Sequence, residues 1–208
     1  MKPVKTEKLP NSIHRAIDIF KKAGGILHTA EAIKKGIHPT VLYRMRNVGI
    51  LEVMSRGIYR LSATLPLSNP DLVVVSIRIS SGVICLISAL SHYGITTQIP
   101  HSIHIALTYG AEEPRIEYPP VSIYRFSGKS FTEGIEIHKI DEVPVRIYSP
   151  EKTLADCFKF RNRIGLDTAI EAIRMYREQG NIKVQDIIHF AEICRVRNIM
   201  QPYLEAIL

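Results

Sequence analysis

Thr40, Tyr43, Arg44 and Asn47 recur at three- and four-residue spacing, so on a helix they share one face. Val41, Leu42 and Met45 fall on the other side and supply an apolar stripe. The first four have the chemistry of a major-groove reader. Arginine pairs bidentately with guanine, asparagine with adenine, and threonine and tyrosine reach phosphate or a thymine methyl. Arg46 lies on the same helix and His38 just ahead of it, while Ser55, Arg56 and Arg60 follow within a short alternating segment. Arg56, at the tip of that segment, would sit over a phosphate or the minor groove and set affinity and register rather than sequence choice. On an isolated helix, Arg44 and Arg46 would read as solvated charges. Their neighbours change that reading.

Those neighbours predict the frame of a winged helix-turn-helix over residues 24–61. Asn11 or Ser12 can cap a first helix to about Ala23, with Ile13, Ala16, Ile17 and Phe20 on one face. Gly24 and Gly25 end it, Ile26 and Leu27 form a short extended link, and Thr29 is the expected cap of a helix over 30–35. Gly36 supplies the turn, and Pro39 suits the first position of the recognition helix, which Gly49 breaks. Residues 50–53 and 57–61 alternate as paired strands of a two-stranded wing, with Met54, Ser55 and Arg56 at the turn and Tyr59 packed inward. Residues 1–10 read as a loose basic arm.

Charge supports the same segment. The chain has 208 residues and a net charge of +7. Residues 1–70 hold twelve basic and four acidic side chains, a balance of +8, against −2 for 71–150 and +1 for 151–208. The excess is confined to the module that would meet phosphate, which is stronger than a uniformly basic surface. No apolar run approaches the roughly 18 residues of a membrane span, and the first ten residues lack the apolar stretch of a signal peptide. Cys85, Cys157 and Cys194 are too few and too scattered for a disulfide framework or a metal site and are expected to be reduced and buried. A cytoplasmic protein is expected.

The turn-rich 62–70 marks a boundary between a winged-helix domain, 1–66, and a second domain, 67–208. Residues 71–79 start with a capping pattern but are strongly β-branched, so helix and strand both stand open. A helical pattern at 83–93 is followed by alternating segments at 102–108, 121–126, 135–138 and 145–148, which read as a small, mainly antiparallel sheet. Ser149, Pro150 and Glu151 start a helix at 150–160, and further helices are expected at 167–179, 184–195 and 199–207. The fold class is α+β: an N-terminal winged helix-turn-helix, then a small α+β domain with a helical C-terminal tail.

Catalytic patterns are weak. Ser127, Gly128, Lys129 and Ser130 suggest a phosphate loop, but Ile123 stands where its first glycine is required. Glu136, His138 and Lys139 have nuclease-like types at the wrong spacing and read as a solvated strand face. His101 and His104 lack a third ligand, and Ser91 with His92 reads as a core pair. No catalytic residue, metal or cofactor is assigned.

The segments RGIYRL, GVICLISALSHYGITTQIPHSIHIAL, RFSG and YSPEKTLADCFKFRNRIGLDTAIEAIR resemble the abortive-infection type IV antitoxins, the AbiEi-like transcriptional regulators. The resemblance spans nearly the whole chain and is most specific over 81–107 and 148–174. It implies a repressor whose winged helix binds double-stranded DNA, at inverted repeats in the promoter of its own two-gene operon. It also implies a C-terminal domain that counters a nucleotidyltransferase-like toxin without a stable complex; no membrane partner is expected, given the lack of an apolar run long enough to span. No antitoxicity residue is carried over. Asp156, Lys159 and Arg161 are the exposed polar candidates of the SPEKTLADC helix, with a surface or buried-bridge role as the alternative. Two other readings stay open: a nuclease-like enzyme targeted to DNA by the winged helix, and a regulator with a small-molecule sensor domain.

Overall fold

The computed structural model describes residues 9–208, so most of the expected basic arm lies outside the described residues. Contacts divide the chain into two units, Met1–Ile77 with Ile140–Val143, and Arg78–Lys139 with Pro144–Leu208. The first contains α1 (Asn11–Lys22), β1 (Ile26–His28), α2 (Thr29–Lys34), α3 (Pro39–Asn47), β2 (Leu51–Ser55) and β3 (Ile58–Leu61), and nearly all of α4 (Pro70–Arg78). This is the element order of a winged helix-turn-helix. Ile13, Ala16 and Phe20 of α1 meet Leu42 and Met45 of α3 and Leu51, Tyr59 and Leu61 of the hairpin in one core.

Several local expectations are corrected. Neither Asn11 nor Ser12 caps α1, which starts at Asn11 behind Pro10 with no side-chain cap. The link at Ile26 and Leu27 is a true strand. It pairs antiparallel with β3 and makes the sheet three-stranded in the order β1-β3-β2, because β3 would otherwise present unpaired backbone groups. That pairing carries extended backbone through His28, so His28 and not Thr29 caps α2, its Nδ1 accepting from the Ala30 amide at 3.2 Å. The wing turn is Arg56 and Gly57, since β2 continues through a bulge to Ser55. Residues 71–78 are helical: the Asn69 Oδ1 accepts from the Leu72 amide at 3.2 Å, and burial of Leu72, Val73, Val74 and Val75 outweighs their strand propensity.

The second unit holds β4 (Val83–Ile84), α5 (Leu86–His92), β5 (Ile103–Thr108), β6 (Val121–Phe126), α6 (Lys129–Thr132), all but one terminal residue each of β7 (Ile135–Ile140) and β8 (Val143–Tyr148), and α7 (Pro150–Lys159). Four helices finish it: α8 (Arg161–Ile164), α9 (Leu166–Glu178), α10 (Val184–Ile193) and α11 (Arg197–Ile207). The sheet runs β6-β5-β4-β8-β7 and is mixed, not mainly antiparallel. β4 is antiparallel to β5 but parallel to β8, and β5 is parallel to β6. The connection over 109–120 has the dozen residues that a parallel return needs, which alternation within strands does not reveal.

The hub of this unit is α7. Its start is the expected one, with Ser149 Oγ accepting from the Lys152 amide at 3.2 Å, Pro150 in the first turn and Glu151 beside it. Every residue from Glu151 to Phe158 is buried. Lys152, wholly buried, donates to both Asp156 carboxylate oxygens at 2.5 and 2.6 Å, and lies 4.2 Å from the Tyr148 ring centroid and 5.0 Å from that of Phe126. The Cys194 thiol donates to the same carboxylate at 3.2 Å. Asp156 is therefore not an exposed candidate but half of a buried bridge. Burial raises its carboxyl above the ordinary range, while Lys152 and the Cys194 thiol pull it back. Gly134 makes room for the pair: at φ +75°, a Cβ on it would stand 2.7 Å from the Lys152 Cβ.

Lys152→Met should destabilise the second unit by about 3–5 kcal/mol, because Asp156 stays buried without its cation. Lys152→Met with Asp156→Leu should recover most of that loss, and urea unfolding of the two variants measures the difference. A second expectation concerns His104, whose buried Nδ1 has no hydrogen-bond partner and whose ring packs on Tyr124 at 5.2 Å. Burial, with a smaller push from Arg163, lowers its pKa from 6.5 to about 4. The folded state thus favours neutral imidazole. This stabilisation is full above pH 6.5 and is lost as pH falls towards 4. Stability measured across that window should fall less steeply in His104→Phe, by up to about 1.4 kcal/mol per pH unit.

Candidate nucleic-acid interface

The helix-turn-helix is set by Ile37, a buried residue in the turn whose amide donates to Ala32 O at 3.0 Å. It pins the turn while Leu42 and Met45 anchor α3, with Val41 half-buried at the edge. This places Thr40, Tyr43, Arg44, Arg46 and Asn47 in solvent, and Tyr43 stays 53 % exposed despite its size. The apolar stripe thus dictates which polar side chains point away.

Three of these side chains form one surface group. The Arg46 guanidinium lies 5.4 Å from the Tyr43 ring centroid and donates through Nε and Nη2 to Asn47 Oδ1 at 3.3 and 3.2 Å. The Asn47 carbonyl is thereby engaged and its amide hydrogens face outward as donors. Arg44 makes no hydrogen bond or ion pair among the described residues. His38 occupies the N-cap of α3, its Nδ1 accepting from the Thr40 amide at 3.3 Å and lying 2.8 Å from the Thr40 hydroxyl. An accepting Nδ1 leaves the proton of the neutral ring on Nε2.

The wing is tied down by a side chain that sequence reading assigned elsewhere. Thr29 gives both its amide, at 2.8 Å, and its hydroxyl, at 3.0 Å, to the Gly57 carbonyl. Gly57 turns the hairpin at φ +78°. The exposed Arg56 beside it has no partner among the described residues. Ser55 is half-buried at the end of β2. Arg60 stands apart from these residues, donating through Nε to Thr64 Oγ1 and through Nη2 to Thr64 O, both at 3.0 Å. Tyr59 is packed inward as expected.

Sequence reasoning passed over Arg15. It sits on α1 away from the buried stripe and shares with Ser12, Ile37, His38 and Val41 a cleft of roughly 290 Å³ at the start of α3. The signal was its position opposite Ile13, Ala16 and Phe20 on a helix read only for its core.

Among the described residues no cluster of histidine, cysteine and carboxylate side chains could hold a metal. Glu136 and His138 are half-buried, not a solvated face, and Tyr93 Oη lies 3.0 Å from both Glu136 Oε2 and His138 Nε2. Ser91 is exposed and His92 packs its ring on Tyr93 and His138, so they are no core pair. His101 is exposed and His104 buried, which separates them. All three cysteines are free and buried as expected, and burial raises each thiol, Cys194 to about 12, which withholds the thiolate near neutral pH.

The His38 cap gives a stability prediction. His38→Ala should weaken α3 by about 0.5–2 kcal/mol, read as faster amide exchange in that helix, whereas His38→Asn should retain most of the protection.

The family described as "Transcriptional regulator, AbiEi antitoxin" matches residues 14–62. The match falls on the winged-helix segment, whereas the resemblance read from sequence was most specific further along. No curated protein matches the chain. Among solved structures, the crystal structure of the Rv2827c protein from Mycobacterium tuberculosis is similar at 14 % identity and a TM-score of 0.56. The similarity covers 95 % of this chain and 82 % of that one. At that identity the likeness is one of fold. No helix among the described residues is long and apolar enough to cross a membrane.

Proposed function

We propose that this protein is a sequence-specific DNA-binding repressor of its own operon, and the antitoxin of a type IV pair whose toxin is nucleotidyltransferase-like. The observation that carries the DNA reading is the outward face of α3, where Thr40, Tyr43, Arg44 and Asn47 are exposed within the segment 1–70 that holds the chain's excess positive charge. In this reading α3 enters the major groove, with Arg44 and Asn47 on base edges. Arg46 braces Tyr43 and Asn47, and Arg56, held by the Thr29–Gly57 clamp, meets a backbone phosphate. His38 Nε2–H and Arg15 are further donors at the start of the helix. The match to AbiEi-type regulators over 14–62 supports the same reading.

Antitoxicity is assigned to the second unit by the family resemblance. It acts on the toxin's effect without a stable complex with the toxin.

A mobility-shift assay on the promoter upstream of the gene tests the DNA reading. Arg44→Ala should cost about 1–3 kcal/mol and relax sequence preference, while Arg56→Ala should weaken all sequences alike and lower the salt slope by about 1. Equal binding to promoter and scrambled DNA would sink the operator claim. Metal-dependent cleavage of that DNA would favour the nuclease-like alternative.

A further inference from the structure

The residues set aside as a failed phosphate loop line a cavity of a different design. The β6–α6 loop, the start of α6 and the C-terminal ends of α7 and α10 border a concave space of roughly 530 Å³ within the second unit. Ser127 and Gly128 come from the loop, Lys129 and Ser130 from the start of α6, Lys159 from α7, and Cys194 and Arg195 from the end of α10. Three cations therefore border one concave space, and no carboxylate is among its lining residues. The volume lies within the range of small-ligand pockets.

The nearby acids offset this charge only in part. Both Asp156 oxygens are taken by Lys152, and one also accepts from the Cys194 thiol. Glu133 forms a long ion pair with Lys129 at 3.9 Å, and the lysine remains 81 % exposed. The Arg195 guanidinium has no partner among the described residues. Its backbone is left-handed at φ +59°, an unfavourable conformation for a side-chain-bearing residue.

The site is also partly preformed. Ser130, buried, donates its hydroxyl to Ser127 O at 2.8 Å and lies 3.5 Å from Lys159 Nζ. Lys159 is further steadied over the Phe126 ring, 5.2 Å from its centroid. Two flexible ammonium groups and one planar guanidinium suit a ligand with several tetrahedrally disposed charged oxygens. A single carboxylate would leave at least one cation unmatched.

We infer that this cavity binds the phosphate end of a small phosphorylated ligand, with Lys129, Lys159 and Arg195 as its charged contacts. The concave shape and small volume favour a small molecule over the backbone of a duplex. This assignment does not depend on the DNA-binding reading.

Calorimetric titration of the full chain with inorganic pyrophosphate tests it, with orthophosphate and a short DNA duplex as parallel titrants. The expected result is saturable one-site binding of pyrophosphate, unchanged in Arg44→Ala with Arg56→Ala. Arg195→Asn and Lys129→Gln should each weaken it about tenfold. Asparagine tolerates the left-handed backbone, so Arg195→Asn removes the charge without adding strain, and an unchanged unfolding curve checks this. Absence of saturable binding overturns the inference. So does binding that survives Arg195→Asn with Lys129→Gln but is lost in the winged-helix variant. Pyrophosphate displaced competitively by the duplex in that winged-helix variant would overturn the assignment to a small ligand.

Discussion

The second unit depends on a charge that has nowhere to go. Lys152 lies in the interior with its ammonium group between two aromatic rings and the two oxygens of Asp156. Such a pair adds little net stability, since desolvation consumes most of its Coulomb energy, but it penalises every arrangement that separates its members. It therefore acts on register. α7 must present one face to Tyr148 and Phe126, Cys194 must arrive at the carboxylate from the end of α10, and the residue just before β7, Gly134, must lack a side chain. The same contacts bring the ends of α7 and α10 together at the basic cavity.

The first unit uses a different economy. Its core is wholly apolar, its helices are short, and its polar side chains are spent on boundaries. His28 and His38 cap successive helices, and Thr29 secures the hairpin. Short helices depend on such end effects because they have few internal hydrogen bonds to lose. The exposed face of α3 is then a by-product of what its other side must bury.

What could be read from the sequence followed from patterns local to each element. The spacing of Val41, Leu42 and Met45 oriented α3, the glycines at 24, 25, 36 and 49 delimited the helices, and Ser149 with Pro150 marked the start of α7. The misreadings arose where one element answers to another. His28 became a cap because β1 pairs with β3. The helix at 70–78 prevailed over β-branched propensity because its valines are buried. Strand direction in the mixed sheet depends on how connections return, which no strand records in its own residues. Asp156 looked like a surface acid because a buried aspartate is rare, and only its partner four residues earlier explains it. At the candidate interface, Tyr43, Arg44 and Asn47 could be named from type and spacing. The Arg46 brace and the Thr29 clamp depend on side-chain placement that spacing does not record.

The clamp at the wing has an electrostatic consequence. Every peptide carries a partial negative charge on its oxygen, and in a two-residue turn those oxygens are hard to hide from an approaching anion. The Gly57 oxygen accepts two donors from Thr29, so its lone pairs are engaged within the protein. The tip can then offer the Arg56 charge with one less dipole opposing it. A threonine at the start of a neighbouring helix thus removes an opposing dipole at the wing without itself carrying a charge.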